Sequence, residues 1–239
     1  NASIFIEYVN VVNNGTGIES AARIARFDAL KTIMKITSAT KLVLGHTASD
    51  VAETFLQRII EGSGRGQGVM PACDNILLRP LVSTSREEVR KTAIIEGFTF
   101  TDDPMNQDRD LLRVFLREEV FSVLKTKIHS IEEGISRAAR LAYDDNQALE
   151  NISRCFIDHD EFGRYYSSVD ILKLQPKSII MRAIRILLEL KSGEKIRTGY
   201  DTCLKIYNQI INANNNTDKN SFEYKIGNTV LFLDRNFLS

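Results

Sequence analysis

The sequence predicts an α/β fold, a parallel sheet flanked by helices, followed by a mostly helical second domain that closes on a β-hairpin. Three observations carry this. Short apolar runs of strand length alternate with helical segments through the first half. After Asp103-Pro104 that alternation stops and long helical stretches with few breakers take over. Near the end, Gly227-Asn228 separates two strand-like runs, a hairpin signal.

The elements follow in order. Ser3 to Val9 is an apolar run that reads as an opening strand, and Asn13-Asn14-Gly15-Thr16-Gly17 as a turn. A helix is expected from about Ile18 to Ile36, with Ala22, Ala25 and Leu30 on its apolar face. Lys41 to Leu44 is a strand, and the apolar residues Val51, Ala52, Phe55, Leu56, Ile59 and Ile60 then recur at helical spacing. The Gly-rich stretch Gly62 to Gly68 reads as a loop, and Ile76 to Leu78 as a strand. Ser85-x-x-Glu88 has the form of a capping box for a helix from about Ser85 to Glu96, which Gly97 ends. From Asp108 to about Asp158 the chain reads as long helices interrupted near Lys127 to Ser130. A Gly/Tyr/Ser loop at Gly163 to Ser168 precedes helices at about Pro176 to Leu190 and Tyr200 to Ile211. An Asn-rich loop, Asn212 to Asn220, leads to the hairpin over Phe222 to Leu233. The domains are therefore expected at 1–124 and 125–239.

The bulk numbers exclude several classes. Lys+Arg and Asp+Glu are both 31 among 239 residues, so no global field advertises a polyanion or a membrane surface. Cys73, Cys155 and Cys203 form no C-x-x-C pair, which argues against a zinc or iron–sulfur site and a disulfide framework. No metal site is predicted. No apolar run approaches the ~18 residues of a membrane span, and a cytoplasmic protein is expected. The chain opens on Asn1 directly into a strand-like run, and is read as one whose beginning is missing.

Chemistry concentrates where the second strand meets its helix. In Gly45-His46-Thr47-Ala48-Ser49-Asp50-Val51-Ala52-Glu53-Thr54, the residues His46, Asp50 and Glu53 fall at i, i+4 and i+7 on the edge opposite the apolar stripe. Clustered titratable groups at a strand's carboxyl end point to a ligand site. A solvated helix face capped by Thr47 or Ser49 fits the same spacing. Gly62-Ser63-Gly64 offers backbone N–H groups to a phosphate, though Gly62 is also where a helix should end. Arg113 and Arg117 lie four apart and face one way, suited to a phosphate or carboxylate or to surface pairs with Glu118 and Asp110. Arg23 and Arg26, three apart, are either solvated or reach the same site. In the second domain Lys173, Lys177, Arg182, Arg185, Lys191, Lys195 and Arg197 outnumber Glu189 and Glu194, a local excess that suits RNA or a merely soluble helix surface. His129 and His159 have no partners at ligand spacing and read as structural.

Taken together, five separated stretches resemble the tRNA(Ile)-lysidine synthetase family, within the N-type ATP pyrophosphatases. They are Glu19-Ser20-Ala21-Ala22-Arg23-x-x-Arg26-Phe27; Gly45-His46 with Asp50 and Glu53-Thr54; Gly62-Ser63-Gly64; Arg79-Pro80-Leu81; and Asp103-Pro104-x-Asn106-x-Asp108 with Arg113 and Arg117. Departures are Thr47, Ser49, Val51 and Val114, where the family often has His, Asp, Gln and Asn. The family's Ser-Gly-Gly-x-Asp-Ser phosphate loop is absent, and the resemblance places it before residue 1.

The resemblance implies a Rossmann-like domain of the adenine nucleotide α-hydrolase type. It implies an ATP- and Mg²⁺-dependent ligase that joins free L-lysine to C2 of the wobble cytidine of tRNA(Ile) with a CAU anticodon, through an adenylated intermediate. His46, Asp50, Glu53, Arg113 and Arg117 are then the catalytic candidates. Arg23, Arg26, Gly62, Ser63 and Gly64 are the nucleotide-binding candidates, and Lys173, Lys177, Arg182 and Arg185 the tRNA-binding ones. Two other readings stay open: another PP-loop tRNA-modifying enzyme such as a cytidine thiolase, and a non-catalytic tRNA-binding derivative. No membrane partner is expected, and a homodimer stays open.

Overall fold

Twenty residues without an interior Gly or Pro wind into helix α1 (Ile18–Thr37), which places Lys35 in its last turn where a cation complements the exposed carbonyls. The computed structural model describes residues 3–12, 18–62, 70–74, 76–101, 112–192, 199–212, 221–226, 229–234 and 236–239. These divide into two units, Asn1–Tyr143 and Asp144–Ser239.

In the first unit, β1 (Leu42–Val43) runs parallel to β3 (Leu77–Leu78), with Leu42 opposite Leu77 and Val43 opposite Leu78. A parallel pair needs a crossover, and α2 (Ala48–Ile60) supplies it. On the other side of β3 lies the antiparallel β2 (Cys73–Asp74), so the strand order is β1-β3-β2.

Helix α2 begins at the extended N-cap Thr47, whose hydroxyl accepts from the Asp50 N–H while the Asp50 carboxylate accepts from the Thr47 N–H, a complete capping box. It ends at Gly62, whose φ of +74° is the left-handed conformation that favours glycine. Helix α3 (Arg86–Ile95) repeats the scheme, with Ser85 and Glu88 as its box and Gly97 beyond its end at φ +72°.

The apolar stripe of α2 is buried as its spacing predicts. Val51 packs with Val82, Ala139 and Phe55. Ala52 packs with Leu116, Phe121 and Leu56. Leu116 and Phe121 bound a π-helical stretch (Leu116–Phe121) between α4 (Leu112–Phe115) and α5 (Ser122–Lys125). The long helix α6 (Ile131–Arg154) follows the expected break, and the divide between the units falls within it.

The second unit is built on an apolar core that Val169, Ile180, Ile184, Leu188, Ile206, Ile210 and Leu231 fill. Its elements are β4 (Asp158–His159), β5 (Tyr165–Ser168), α7 (Val169–Lys173), α8 (Lys177–Ser192), α9 (Tyr200–Asn212), β6 (Phe222–Ile226), β7 (Thr229–Leu233) and β8 (Phe237–Leu238). The expected hairpin is present as β6 and β7, with Phe222 opposite Leu233 and Ile226 opposite Thr229. It is part of a five-stranded antiparallel sheet of order β4-β5-β8-β7-β6.

Four expectations are corrected. The opening run Ser3 to Val9 forms no strand: Ile4, Ile6 and Tyr8 are open to solvent, and among the described residues none completes a ladder with it. His46 does not ride on α2, because the extended Thr47 cap stands between them. The helical stretch expected to reach Asp158 stops at Arg154, and Asp158 belongs to β4. Tyr165 to Ser168 is a strand instead of a loop, because Ser167 and Ser168 pair with Leu238 and Phe237 across some seventy residues of chain that spacing does not connect.

Candidate active site

The chain leaves β1 through Leu44, Gly45 and His46 and enters α2 at the Thr47 cap, the place where open α/β sheets bind ligands. The capping box turns one oxygen of Asp50 inward to the backbone. Asp50 Oδ2 accepts from the Thr47 N–H at 2.8 Å and the Thr47 hydroxyl at 2.7 Å, leaving Oδ1 to take Arg86 Nη2 at 2.9 Å.

One turn on, Glu53 is 1% exposed, so a carboxylate is buried outright. Such a charge persists only when paired and hydrogen-bonded. Arg117 supplies Nε at 2.8 Å and Nη2 at 3.1 Å in a bidentate fork. Arg86 adds Nη1 at 3.2 Å. Arg113 Nη2 stands 3.7 Å from Glu53 and 3.9 Å from Asp50, the longest of these pairs. Among the described residues, three guanidinium groups thus meet two carboxylates.

The protonation states follow from the surroundings. Burial works against the charged form of Asp50, but hydrogen bonds from Thr47 and the nearby Arg86 and Arg113 outweigh it and hold the carboxyl below its ordinary value. The hydrogen bond to Glu53 raises Arg117 further into its charged range. Burial lowers the pKa of His46; Asp50 opposes this, while Arg79, Arg23 and Arg113 reinforce it. The imidazole is therefore neutral at neutral pH, and its buried Nδ1 has no hydrogen-bond partner among the described residues. Among the described residues, three guanidinium groups against two carboxylates, beside a neutral imidazole, fit an anionic ligand such as a nucleotide phosphate. Among the described residues no three His, Cys, Asp or Glu side chains gather for a metal ion.

The structure brings together His46, Asp50, Glu53, Arg113 and Arg117, with Glu53 beneath the arginines instead of on a solvated edge. Arg23 and Arg26 lie 5.1 and 5.7 Å from the Phe27 ring, and Arg23 is near enough to act on His46. Gly62 ends α2, whereas Ser63, Gly64 and the Asp103 to Asp108 motif lie outside the described residues.

In the second unit Lys177 is exposed, its Nζ 5.3 Å from the Tyr207 ring. Lys173 is half-buried. Arg182, by contrast, is 7% exposed and donates to the Ser178 carbonyl at 2.9 Å and to Asn146 Oδ1 at 3.0 Å. Arg185 pairs with Glu150 and Glu189. Both side chains tie α8 to protein groups. Lys195 and Arg197 lie outside the described residues.

Two participants are not among the candidate site residues, although Arg79 stands in the Arg79-Pro80-Leu81 stretch that carries the resemblance. Arg86 binds both carboxylates, and Arg79, buried against the Pro71 carbonyl at 2.8 Å, acts on His46. Arg86 left one signal: it is the first residue of α3, where the helix dipole disfavours a cation, so a carboxylate partner is needed.

Comparison with known proteins adds to this geometry. The model of the PP-loop domain family matches residues 1–124. The tRNA(Ile)-lysidine synthase of a Thermus thermophilus strain is 30% identical over 191 residues, covering 77% of this chain and 37% of that protein. Its counterpart in Leifsonia xyli subsp. xyli is 31% identical over 204 residues, covering 82% and 61%. That of Thermobifida fusca is 37% identical over 187 residues, covering 75% and 56%. The chain thus spans between about a third and three fifths of the length of these relatives.

Proposed function

The chain belongs to the PP-loop domain family, and from that premise we propose that it modifies tRNA as the lysidine synthases it is similar to are named for doing. In this reading the C2 oxygen of the wobble cytidine of tRNA(Ile) attacks the α-phosphorus of ATP and pyrophosphate leaves. The ε-amine of lysine then attacks C2, and AMP leaves with the oxygen. The observation that supports it is the gathering of Arg86, Arg113 and Arg117 beside the neutral His46, at the end of β1 and within the matched span.

Each residue has a defined part. Arg113, 3.7 Å from Glu53 and 3.9 Å from Asp50, serves the phosphates and stabilises the charge that develops as pyrophosphate departs. Arg117 sustains the same field. Asp50 stays ionised and holds the lysine ammonium in line. His46 takes the proton that the amine must lose before or during attack. Glu53, committed to the guanidinium groups, is a positioning residue. Mg²⁺ would come with the nucleotide. Lys173 and Lys177 are the candidates for tRNA phosphates in the second unit.

The test uses the protein expressed from its complete reading frame, with labelled lysine, ATP and a tRNA(Ile) transcript bearing the CAU anticodon. We expect lysine to enter the tRNA, and Arg113→Ala and Asp50→Asn to slow it by about 10²-fold or more. Absence of lysine incorporation, or full activity in both variants, overturns the proposal. Exchange of pyrophosphate into ATP without lysine incorporation would point to another PP-loop tRNA modification such as thiolation.

A further inference from the structure

A second polar contact reaches the start of α2 from outside the matched span. Ser49, 2% exposed, donates its hydroxyl to Glu132 Oε2 at 2.6 Å, and its oxygen accepts the backbone N–H of Arg86 at 3.3 Å. Glu132, 7% exposed, sits in the first turn of α6 and takes Lys125 Nζ on its other oxygen at 2.8 Å. Ser49 is thus the joint between two systems. Through Arg86 it touches the residue whose side chain binds both Asp50 and Glu53. Through Glu132 it is fixed to a helix that begins seven residues beyond the end of the family match at 124. All of this lies within the first unit.

We infer that Ser49 and Glu132 are a pair of positioning residues through which the start of α6 fixes the first turn of α2, and with it the Arg86–Asp50–Glu53 geometry of the proposed tRNA-modifying site. This inference rests on that functional reading for its effect on rate. Chemistry dictates the pairing. A buried carboxylate needs donors, and Glu132 has two, the Lys125 ammonium and the Ser49 hydroxyl. A hydroxyl at 49 donates to Glu132 while accepting from Arg86. An ionised carboxylate at 49 could accept from Arg86 but would face Glu132 with no proton between the oxygens. The two positions are therefore linked: acid at one requires a donor at the other.

The test is a double-substitution cycle of Ser49→Asp, Glu132→Gln and both together in the full-length protein. It reads kcat and KM for lysine incorporation and, separately, the thermal midpoint. Ser49→Asp should lower kcat about tenfold, with KM for ATP changing less than about threefold, and should lower the midpoint. Adding Glu132→Gln, whose amide N–H can donate to the new carboxylate, should recover kcat to within about threefold and restore most of the midpoint. Unchanged kcat in Ser49→Asp overturns the inference, as does a double variant no better than Ser49→Asp alone. A midpoint that falls and recovers without any change in kcat also overturns it, since the pair would then be structural only. If the unsubstituted protein attaches no lysine, the proposed function falls and the pair is judged by the midpoints, where failure of Glu132→Gln to restore the fold's stability overturns the linkage itself.

Discussion

Replacing Arg117 with alanine removes two of the short hydrogen bonds that hold Glu53, at 2.8 and 3.1 Å, while Arg86 remains at 3.2 Å and Arg113 at 3.7 Å. Breaking a buried ion pair by deleting one partner typically costs about 3–5 kcal/mol, because the charge left behind is both desolvated and under-bonded. The two remaining guanidinium groups place this site at the low end, about 3 kcal/mol. Hydrogen exchange over the peptide Ala48–Ile60 reads the loss where it occurs, without assuming that the two units unfold together. A loss of about 3 kcal/mol corresponds to roughly a hundredfold faster exchange of the slowest amides in that peptide. Adding Glu53→Gln to Arg117→Ala removes the under-bonded charge and should recover at least half of the lost protection on a logarithmic scale. Less than about a threefold change in Arg117→Ala, or no recovery in the double variant, would refute the idea that Glu53 is a buried charge held by its arginines.

Three other outcomes follow from the same reasoning. The stability of the first unit should fall in two steps on acidification. Below pH 6.5 the unfolded chain protonates its histidine at 46 before the folded chain does, and a slope appears that His46→Gln removes; below 3.8 the stability due to the depressed Asp50 is lost as pH falls through its folded value, and Asp50→Asn flattens that limb in urea titrations. In the second unit, Arg182→Ala leaves Asn146 and the Ser178 carbonyl short of a donor and should cost about 1–3 kcal/mol without altering the salt dependence of tRNA binding, whereas Lys177→Ala should shallow the slope of log K against log salt by roughly one; filter binding across salt concentrations separates them. Truncation of the fully buried Ile184 to alanine should lower the stability of that unit by about 2–5 kcal/mol, measured by exchange over α9.

What was legible in the sequence is what short-range chemistry specifies. Ser85 and Glu88 are three residues apart, so a capping box is complete within one turn and announces its helix, while for α2 Thr47 is one of the two caps that spacing allows. Gly62 and Gly97 stop α2 and α3 by supplying positive φ, and the hairpin expected over Phe222 to Leu233 is present as β6 and β7. The site was legible in part: the strand-to-helix junction, His46 and Asp50, and the common direction of Arg113 and Arg117. Local pattern could not reveal that Arg182 and Arg185 turn inward, since a run of basic residues reads the same whether it meets water or Asn146 and Glu150.

Local order along the chain thus set where helices begin and end, the apolar stripe of α2 and the residues able to carry charge beside β1. Which charges meet was left to the folded chain. Arg86 reaches Asp50 across 36 positions, Arg117 reaches Glu53 across 64, and Ser49 reaches Glu132 across 83. Burial of Glu53 is the consequence of those meetings. A carboxylate on an amphipathic helix is stable in water at any such position, and stable in the interior only where folding delivers distant guanidinium groups to it.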